Sequence, residues 1–140
     1  MSILWKEEMT EAVLKSELVK QARESLPKFV IQRHEDRITH GVPDISVDGN
    51  KVGSWIEVKF ANPTFKTRGI QELTMSRLSR ANHAYYVVYA DVKGVRRTYI
   101  VEPEKIGSPM DEWGTYTTGF DHKWVVEYIK EVHNVHNNGS

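Results

Sequence analysis

The stretch "GVPDISVDGNKVGSWIEVKFA", from Gly41 to Ala61, contains two short segments with strand character on either side of an Asp-Gly turn. "PDISV" and "SWIEVKF" each predict a strand, and "DGNKVG" between them is typical of a hairpin. The stretch therefore predicts two antiparallel strands. An aspartate, Asp44, begins the first strand, and the second carries Glu57 and Lys59.

Glu57 and Lys59 are two residues apart, so they share one face of their strand. Asp44 lies across the hairpin, where it can approach Glu57, so two carboxylates and an ammonium converge at the end of a sheet. Such a group suits Mg²⁺, which usually takes one or two carboxylates and leaves room for water and phosphate. A neighbouring lysine can orient the attacking water and offset charge in the transition state. The alternative is a surface hairpin with a Glu–Lys ion pair.

The remaining segments place this hairpin in a mixed sheet. "TEAVLKSELVKQARES" has the apolar spacing of a helix that ends at Pro27, and "KFVIQRH" predicts a strand. "IQELTMSRLSRA" predicts a second helix before the apolar strand "AYYVVYA", which makes a crossover and so a parallel pair with "SWIEVKF". "RRTYIVE" then predicts a strand, and "HKWVVEYIKEVH" a last helix capped by Asp121.

The first helix carries an acidic residue on its apolar side. At 100° per residue, Glu11 falls between Leu18 and Ala22, so its carboxylate is expected to point at the sheet. Glu7 lies on nearly the same line one turn earlier, and Glu17 lies at the edge of the apolar face.

Composition excludes several classes of protein. The 140 residues predict a single domain over 1–140, and the absence of cysteine excludes disulfides, thiolate metal sites and catalytic thiols. No apolar run approaches the roughly 18 residues of a membrane span, and the first residues lack the apolar core of a signal peptide. A cytoplasmic protein, or a phage-encoded one acting in the host cytoplasm, is expected.

The net charge of zero hides an uneven distribution, because residues 58–97 carry a net charge of +6. Such a segment favours a surface that binds a polyanion, since lysine and arginine release counterions from phosphates. The alternative is scattered, solvated charge. The residues proposed to contact DNA follow the hairpin: Lys66, Arg68, Arg77 and Arg80.

A helix with an inward glutamate, then a strand, "GVPD", "IEVK" and a helix that opens near a glutamine together resemble the PD-(D/E)xK nuclease superfamily. The pattern is most similar to its small VRR-NUC and Holliday-junction-resolvase-like branch, and the matching stretch runs from Glu11 to about Ala90. The resemblance implies an α/β, restriction-endonuclease-like αβββαβ core with a mixed central sheet flanked by helices. A C-terminal strand and helix (91–133) and a frayed tail (134–140) follow that core.

The resemblance also assigns roles to residues. It implies that Asp44, Glu57 and the backbone carbonyl of Val58 bind Mg²⁺ or Mn²⁺, and that Lys59 is catalytic. Glu11 corresponds to the acid of the first helix, and Gln71 to a glutamine near the metal site. Two departures concern the substrate: the loop "FANPTFKTRG" is long and basic, and the chain after "VKGVRR" has no counterpart.

The sequence therefore predicts a metal-dependent DNA endonuclease that acts as a homodimer or a higher homo-oligomer. A structure-selective enzyme for branched or junction DNA and a sequence-specific homing or restriction-type enzyme both fit the pattern. Two rival hypotheses are a non-catalytic DNA-binding module with the same fold and a small hydrolase of another class. The intact Asp44, Glu57 and Lys59 disfavour the first rival, and the basic segment disfavours the second.

Overall fold

The computed structural model describes residues 9–34, 43–49, 53–62, 75 and 83–138, with side chains up to residue 134. The described part is a six-stranded mixed sheet with helices packed against it, and the strand order follows the chain order. The helices are α1 (Glu11–Ser25) and α2 (His122–Asn138), and the strands are β1 (Val30–Arg33), β2 (Ile45–Asp48), β3 (Gly53–Ala61), β4 (His83–Val92), β5 (Val95–Val101) and β6 (Tyr116–Thr118).

The pairing of the central strands confirms the predicted antiparallel and parallel strand pairs. β2 and β3 are antiparallel, and β3 and β4 are parallel. The helix predicted over "IQELTMSRLSRA" lies outside the described residues except for Met75, which is helical and fully buried. The sequence does not predict β6, because "YTT" is too short and too polar to stand out as a strand.

Two clusters of apolar side chains cover the two faces of the sheet. On one face α1 and α2 pack against side chains such as Val58 and Val87. On the other face lie the side chains of Tyr86 and Val88. In the β3–β4 register these two residues pair with Glu57 and Lys59, and paired residues point to the same face of the sheet. Glu57 and Lys59 therefore lie on the face opposite to that covered by α1 and α2.

α1 begins where the sequence predicts. The hydroxyl of Thr10 accepts a hydrogen bond from the N–H of Val13 at 3.2 Å, a cap that contributes about 1 kcal/mol. Four apolar residues of the helix are buried, at the spacing expected from the sequence: Leu14, Leu18, Val19 and Ala22. This packing fixes the phase of α1 and so the direction in which Glu11 points.

α2 extends further than predicted. Asp121 caps it as expected, since its Oδ1 accepts from the N–H of Trp124 at 3.0 Å, but the helix runs to Asn138 instead of ending at His133. His133 is fully buried, and its Nε2 lies 3.2 Å from Oγ of Ser54 on β3. The helix thus includes residues 134–138, which the sequence analysis assigns to the tail. Neither described helix is long and apolar enough to cross a membrane.

Candidate active site

The site lies where β3 loses its pairing with β2, beyond Ile56. The β2–β3 register pairs Ile45 with Ile56, and continuing it by two residues would place Pro43 opposite Val58. Proline has no N–H, so it cannot donate to the carbonyl of Val58 as a strand residue at that position would. The ladder ends at Ile45, and the edge of β3 beyond Ile56 becomes available to side chains.

Asp44 occupies the start of this edge. Its Oδ2 accepts a hydrogen bond from the N–H of Val58 at 2.9 Å, and its own N–H donates to Oε1 of Glu57 at 3.1 Å. The carbonyl of Asp44 also accepts from the N–H of His34, just after the end of β1, at 2.8 Å. Pro43 thus ends the β2–β3 ladder, and Asp44 supplies a carboxylate at the point where it ends.

Glu57 and Lys59 form a buried ion pair beside Asp44. Nζ of Lys59 lies 3.1 Å from Oε2 of Glu57, and Glu57 is only 2% exposed. The pKa of the Glu57 carboxyl is raised to about 7, chiefly by burial and then by the negative charge of Asp44, while the positive charge of Lys59 opposes both effects. A carboxyl whose ionised form is disfavoured in this way gains from a bound cation.

Glu11 reaches the same strand edge from α1. Its Oε1 accepts from the N–H of Phe60 at 3.1 Å, two residues beyond the N–H that Asp44 accepts. Glu17 lies elsewhere: its side chain is 51% exposed, and its Oε2 lies 2.9 Å from Nε2 of His122 on α2. Of these two candidate acids, Glu11 is the one brought to the strand edge that Asp44 occupies. Glu7 lies outside the described residues.

Sequence analysis missed one member of this cluster, Lys15. Its Nζ lies 2.7 Å from Oδ1 of Asp44, and both side chains are mostly buried, at 18% and 15% exposure. A signal was present in the sequence, because Lys15 follows Glu11 by four residues and so lies on the same side of the helix.

The other predicted site residues cannot be placed. Gln71 and the four residues proposed to contact DNA (Lys66, Arg68, Arg77 and Arg80) lie outside the described residues, so their roles stay predictions. The described part of the basic segment includes Lys93, Arg96 and Arg97 on the β4–β5 hairpin. The guanidinium of Arg96 lies 4.8 Å from the centre of the Phe120 ring, and that of Arg97 lies 4.5 Å from the centre of the Tyr116 ring.

The predicted metal ligands fit a small divalent cation in kind and number. Within the described ranges, no three acidic or histidine side chains converge closely enough to hold a metal ion by themselves. Asp44, Glu57 and the Val58 carbonyl instead offer two carboxylates and one peptide oxygen at one strand edge. Mg²⁺ usually takes one or two carboxylates and keeps several waters, so this donor set is sufficient. Part of the rise in the pKa of Glu57 comes from repulsion by Asp44, which a cation would relieve.

The burial of Glu57 predicts how the stability of the metal-free protein depends on pH. The pKa of Glu57 is about 7 in the folded protein against an ordinary value of 4.5, so the folded state binds the proton more tightly. The contribution of Glu57 to the free energy of unfolding is therefore most favourable below about pH 4.5 and falls as the pH rises through 7, by about 3 kcal/mol in all. Urea unfolding in the presence of a chelator measures this.

Glu57→Gln isolates the effect, because glutamine can still accept the N–H of Asp44 but does not titrate. The stability of the variant relative to the parent should rise steadily between about pH 5 and pH 8. Glu24→Gln, at an exposed position of α1, is the matched control. A Glu57→Gln difference that stays constant over this range would contradict the prediction.

Comparison with known proteins supports the fold. No protein-family model matches the sequence, and no curated protein matches it. Among solved structures, the chain is similar to Hjc of Archaeoglobus fulgidus, a Holliday junction resolvase from an archaeal hyperthermophile, with a TM-score of 0.50 and 13% sequence identity. The match covers 84% of this chain and 88% of that one. The VRR-NUC branch stays a prediction, whereas the predicted fold class is confirmed: the chain has a mixed α/β fold like that of this resolvase.

Proposed function

We propose that this protein is a metal-dependent DNA endonuclease that hydrolyses phosphodiester bonds and prefers branched DNA. The observation that carries the proposal is that Glu11, Asp44 and Glu57 line the edge of β3 where the ladder ends, with a buried lysine beside Glu57. A purely structural ion pair does not account for three carboxylates gathered there, one of them almost fully buried.

Each residue of the cluster has a task in this proposal. Asp44, Glu57 and the Val58 carbonyl hold Mg²⁺ or Mn²⁺, which when bound polarises a phosphoryl oxygen and makes water a better nucleophile. Lys59 shares a strand face with Glu57, so its ammonium can orient the attacking water and offset negative charge on the phosphoryl oxygens. Glu11, anchored on the N–H of Phe60, completes the negatively charged rim.

The charge distribution supports DNA as the substrate. Lys59 stands opposite Val88 in the parallel β3–β4 pair, and Lys93 at the tip of the β4–β5 hairpin is five residues beyond Val88. At about 3.3 Å per residue, the tip lies about 16 Å past the lysine at the same end of the sheet. Basic side chains at that distance suit contacts with phosphates a few nucleotides from the one that is cut.

The proposal also includes a preference for branched DNA and a homodimer. The similar solved structure is named as a Holliday junction resolvase, and a four-way junction has two strands to cut. The described residues form one such cluster of carboxylates, so one protomer cuts one strand with it, and a pair of protomers related by a two-fold axis cuts both.

A cleavage assay tests the proposal. The protein is mixed with a four-way junction, or with a linear duplex of the same arm sequences, in Mg²⁺ or in a chelator. The junction should be cut only with Mg²⁺ and at least about tenfold faster than the duplex, because binding to the bent backbone adds to the transition-state interactions. Light scattering on the same sample measures the oligomeric state.

The other outcomes separate the alternatives. Cutting of the linear duplex at one fixed sequence would favour a homing or restriction-type enzyme. Junction binding without cutting would favour a non-catalytic DNA-binding module. Cutting at an equal rate in the chelator would contradict the metal dependence.

The role of Glu11 can be tested separately from the fold. In Glu11→Gln the amide oxygen can still accept the N–H of Phe60, while the negative charge is lost. Cleavage should slow by about ten- to a hundredfold, as is usual when groups around a metal site are changed. Glu17→Gln, at an exposed position of the same helix, should be near neutral. If Glu17→Gln were the more damaging change, the assignment of the helix acid would be wrong.

A further inference from the structure

Both carboxylate oxygens of Asp44 already have partners in the structure. The N–H of Val58 donates to Oδ2 at 2.9 Å, and Nζ of Lys15 lies 2.7 Å from Oδ1. The contact to Oδ1 is shorter than the one between Lys59 and Glu57 in the same cluster, at 3.1 Å. A cation that binds Asp44 through Oδ1 must therefore share this oxygen with the ammonium of Lys15 or displace it.

We propose that Lys15 is the internal counter-ion of Asp44 in the metal-free protein, and that Lys15 and the divalent metal ion compete for this carboxylate. The proposal rests on the proposed function, because it takes Asp44 as a metal ligand. It adds a role for a residue of α1 that lies outside the "GVPD" and "IEVK" segments.

The charges at the site give the reason for the competition. Counting the described residues and no metal, three carboxylates (Glu11, Asp44 and Glu57) lie near two ammonium groups (Lys15 and Lys59), so the cluster carries one negative charge when all three carboxyls are ionised. A divalent cation added to the cluster turns this into about one positive charge. Lys15 and the metal ion then repel each other at close range in a poorly hydrated site, where such repulsion is only weakly screened.

Lys15 is also well placed to move. Its side chain is 18% exposed, twice the 9% of Lys59, and lysine carries a single point charge on a flexible stem. Glu11, one turn earlier, ties α1 to β3 through the N–H of Phe60, so the ammonium can swing out while the helix stays in place. Once released, it faces the DNA that the site is proposed to bind and can pair with a phosphate.

This exchange couples the binding of the metal ion to the binding of DNA. Metal binding releases Lys15 for the DNA backbone, and a phosphate that holds Lys15 frees Asp44 for the metal ion. By linkage, each ligand strengthens the binding of the other by the same factor. The metal-free protein is meanwhile protected from an uncompensated charge at Asp44.

Calorimetric titration of the protein with Mn²⁺, without DNA, tests the proposal directly. Lys15→Met keeps most of the apolar stem and removes the charge, so Mn²⁺ should bind about tenfold more tightly than to the parent. Lys20→Met, at an exposed position of the same helix, is the matched control and should change the Kd by less than about twofold. A residue that only supports the fold would not tighten metal binding when it is removed, so an unchanged or weakened Kd for Lys15→Met overturns the proposal.

Two further variants make the result of the titration interpretable. If Lys15→Met does not fold, as judged by circular dichroism, Lys15→Gln takes its place, because the amide can still donate to Asp44 without carrying a charge. Asp44→Asn in the same titration separates this proposal from the proposed function. If Asp44→Asn binds Mn²⁺ as the parent does, the metal site itself is wrong. If Asp44→Asn loses Mn²⁺ while Lys15→Met and the parent bind it equally, the role of Lys15 alone is wrong.

Discussion

Asp44→Asn and Glu57→Gln should each lower the rate of DNA cleavage at saturating DNA by at least about a thousandfold, the loss expected when charge stabilisation worth several kcal/mol is removed. Both variants should fold. The amide that replaces the Asp44 carboxylate can still accept the N–H of Val58, and the amide that replaces the Glu57 carboxylate can still accept the N–H of Asp44. The amide nitrogen of each variant replaces the oxygen that meets an ammonium group, that of Lys15 or of Lys59, so the ion pair is lost together with the charge while the contact to the backbone is kept.

DNA binding by the two variants should be unchanged or stronger, because a negative charge near the phosphates is removed. Calorimetry with Mn²⁺ should show weaker metal binding in both. Asp48→Asn is the matched control, since Asp48 lies at the exposed far end of β2, the strand that Asp44 precedes. Full Mg²⁺-dependent cleavage by Asp44→Asn would overturn the assignment of the site.

Lys59→Met should lower the single-turnover rate of cleavage by about a hundred- to ten-thousandfold, with little change in DNA affinity. Lys59 is buried beside Glu57 on the face that carries the proposed chemistry, so its ammonium is placed to act on the water or the phosphoryl group. It is poorly placed to add to the affinity for distant phosphates.

The choice of pH and a control variant make the Lys59 experiment more specific. The charge of Lys59 lowers the pKa of Glu57, so its removal favours protonated Glu57, and the assay is best run well above pH 7. Lys93→Met, on the exposed tip of the β4–β5 hairpin, is the control and should show the opposite pattern, with weaker DNA binding and an intact single-turnover rate. Normal cutting by Lys59→Met would contradict its proposed role in the chemistry.

The arrangement along β2 and β3 could be predicted from the sequence because it depends on local rules. The Asp-Gly turn predicts the hairpin, and the two-residue period of a strand places Glu57 and Lys59 on one face. The apolar run "AYYVVYA" predicts a strand buried on both faces, as β4 is. The apolar spacing of α1 likewise favoured Glu11 over Glu17, and the structure places Glu11 against Phe60.

Other features could not be predicted, because they depend on contacts between distant segments. The spacing of Lys15 from Glu11 places both on one side of α1, but only the fold places Asp44 within 2.7 Å of Lys15. His133 lies in a polar stretch of sequence, yet it packs against Ser54 on β3. The strand β6 has too weak a pattern to be recognised without its partner β5.

The sequence by itself determined which chemical groups share a face, because side-chain direction follows from the period of each element. Only the tertiary structure decided which of those groups meet and how strongly they are charged. The packing of α1 on the sheet brings Glu11 and Lys15 to the edge of β3, and the register of β2 leaves that edge to side chains. The raised pKa of Glu57 arises mainly from burial. Burial is a property of the whole fold, because every element that covers Glu57 removes water from it.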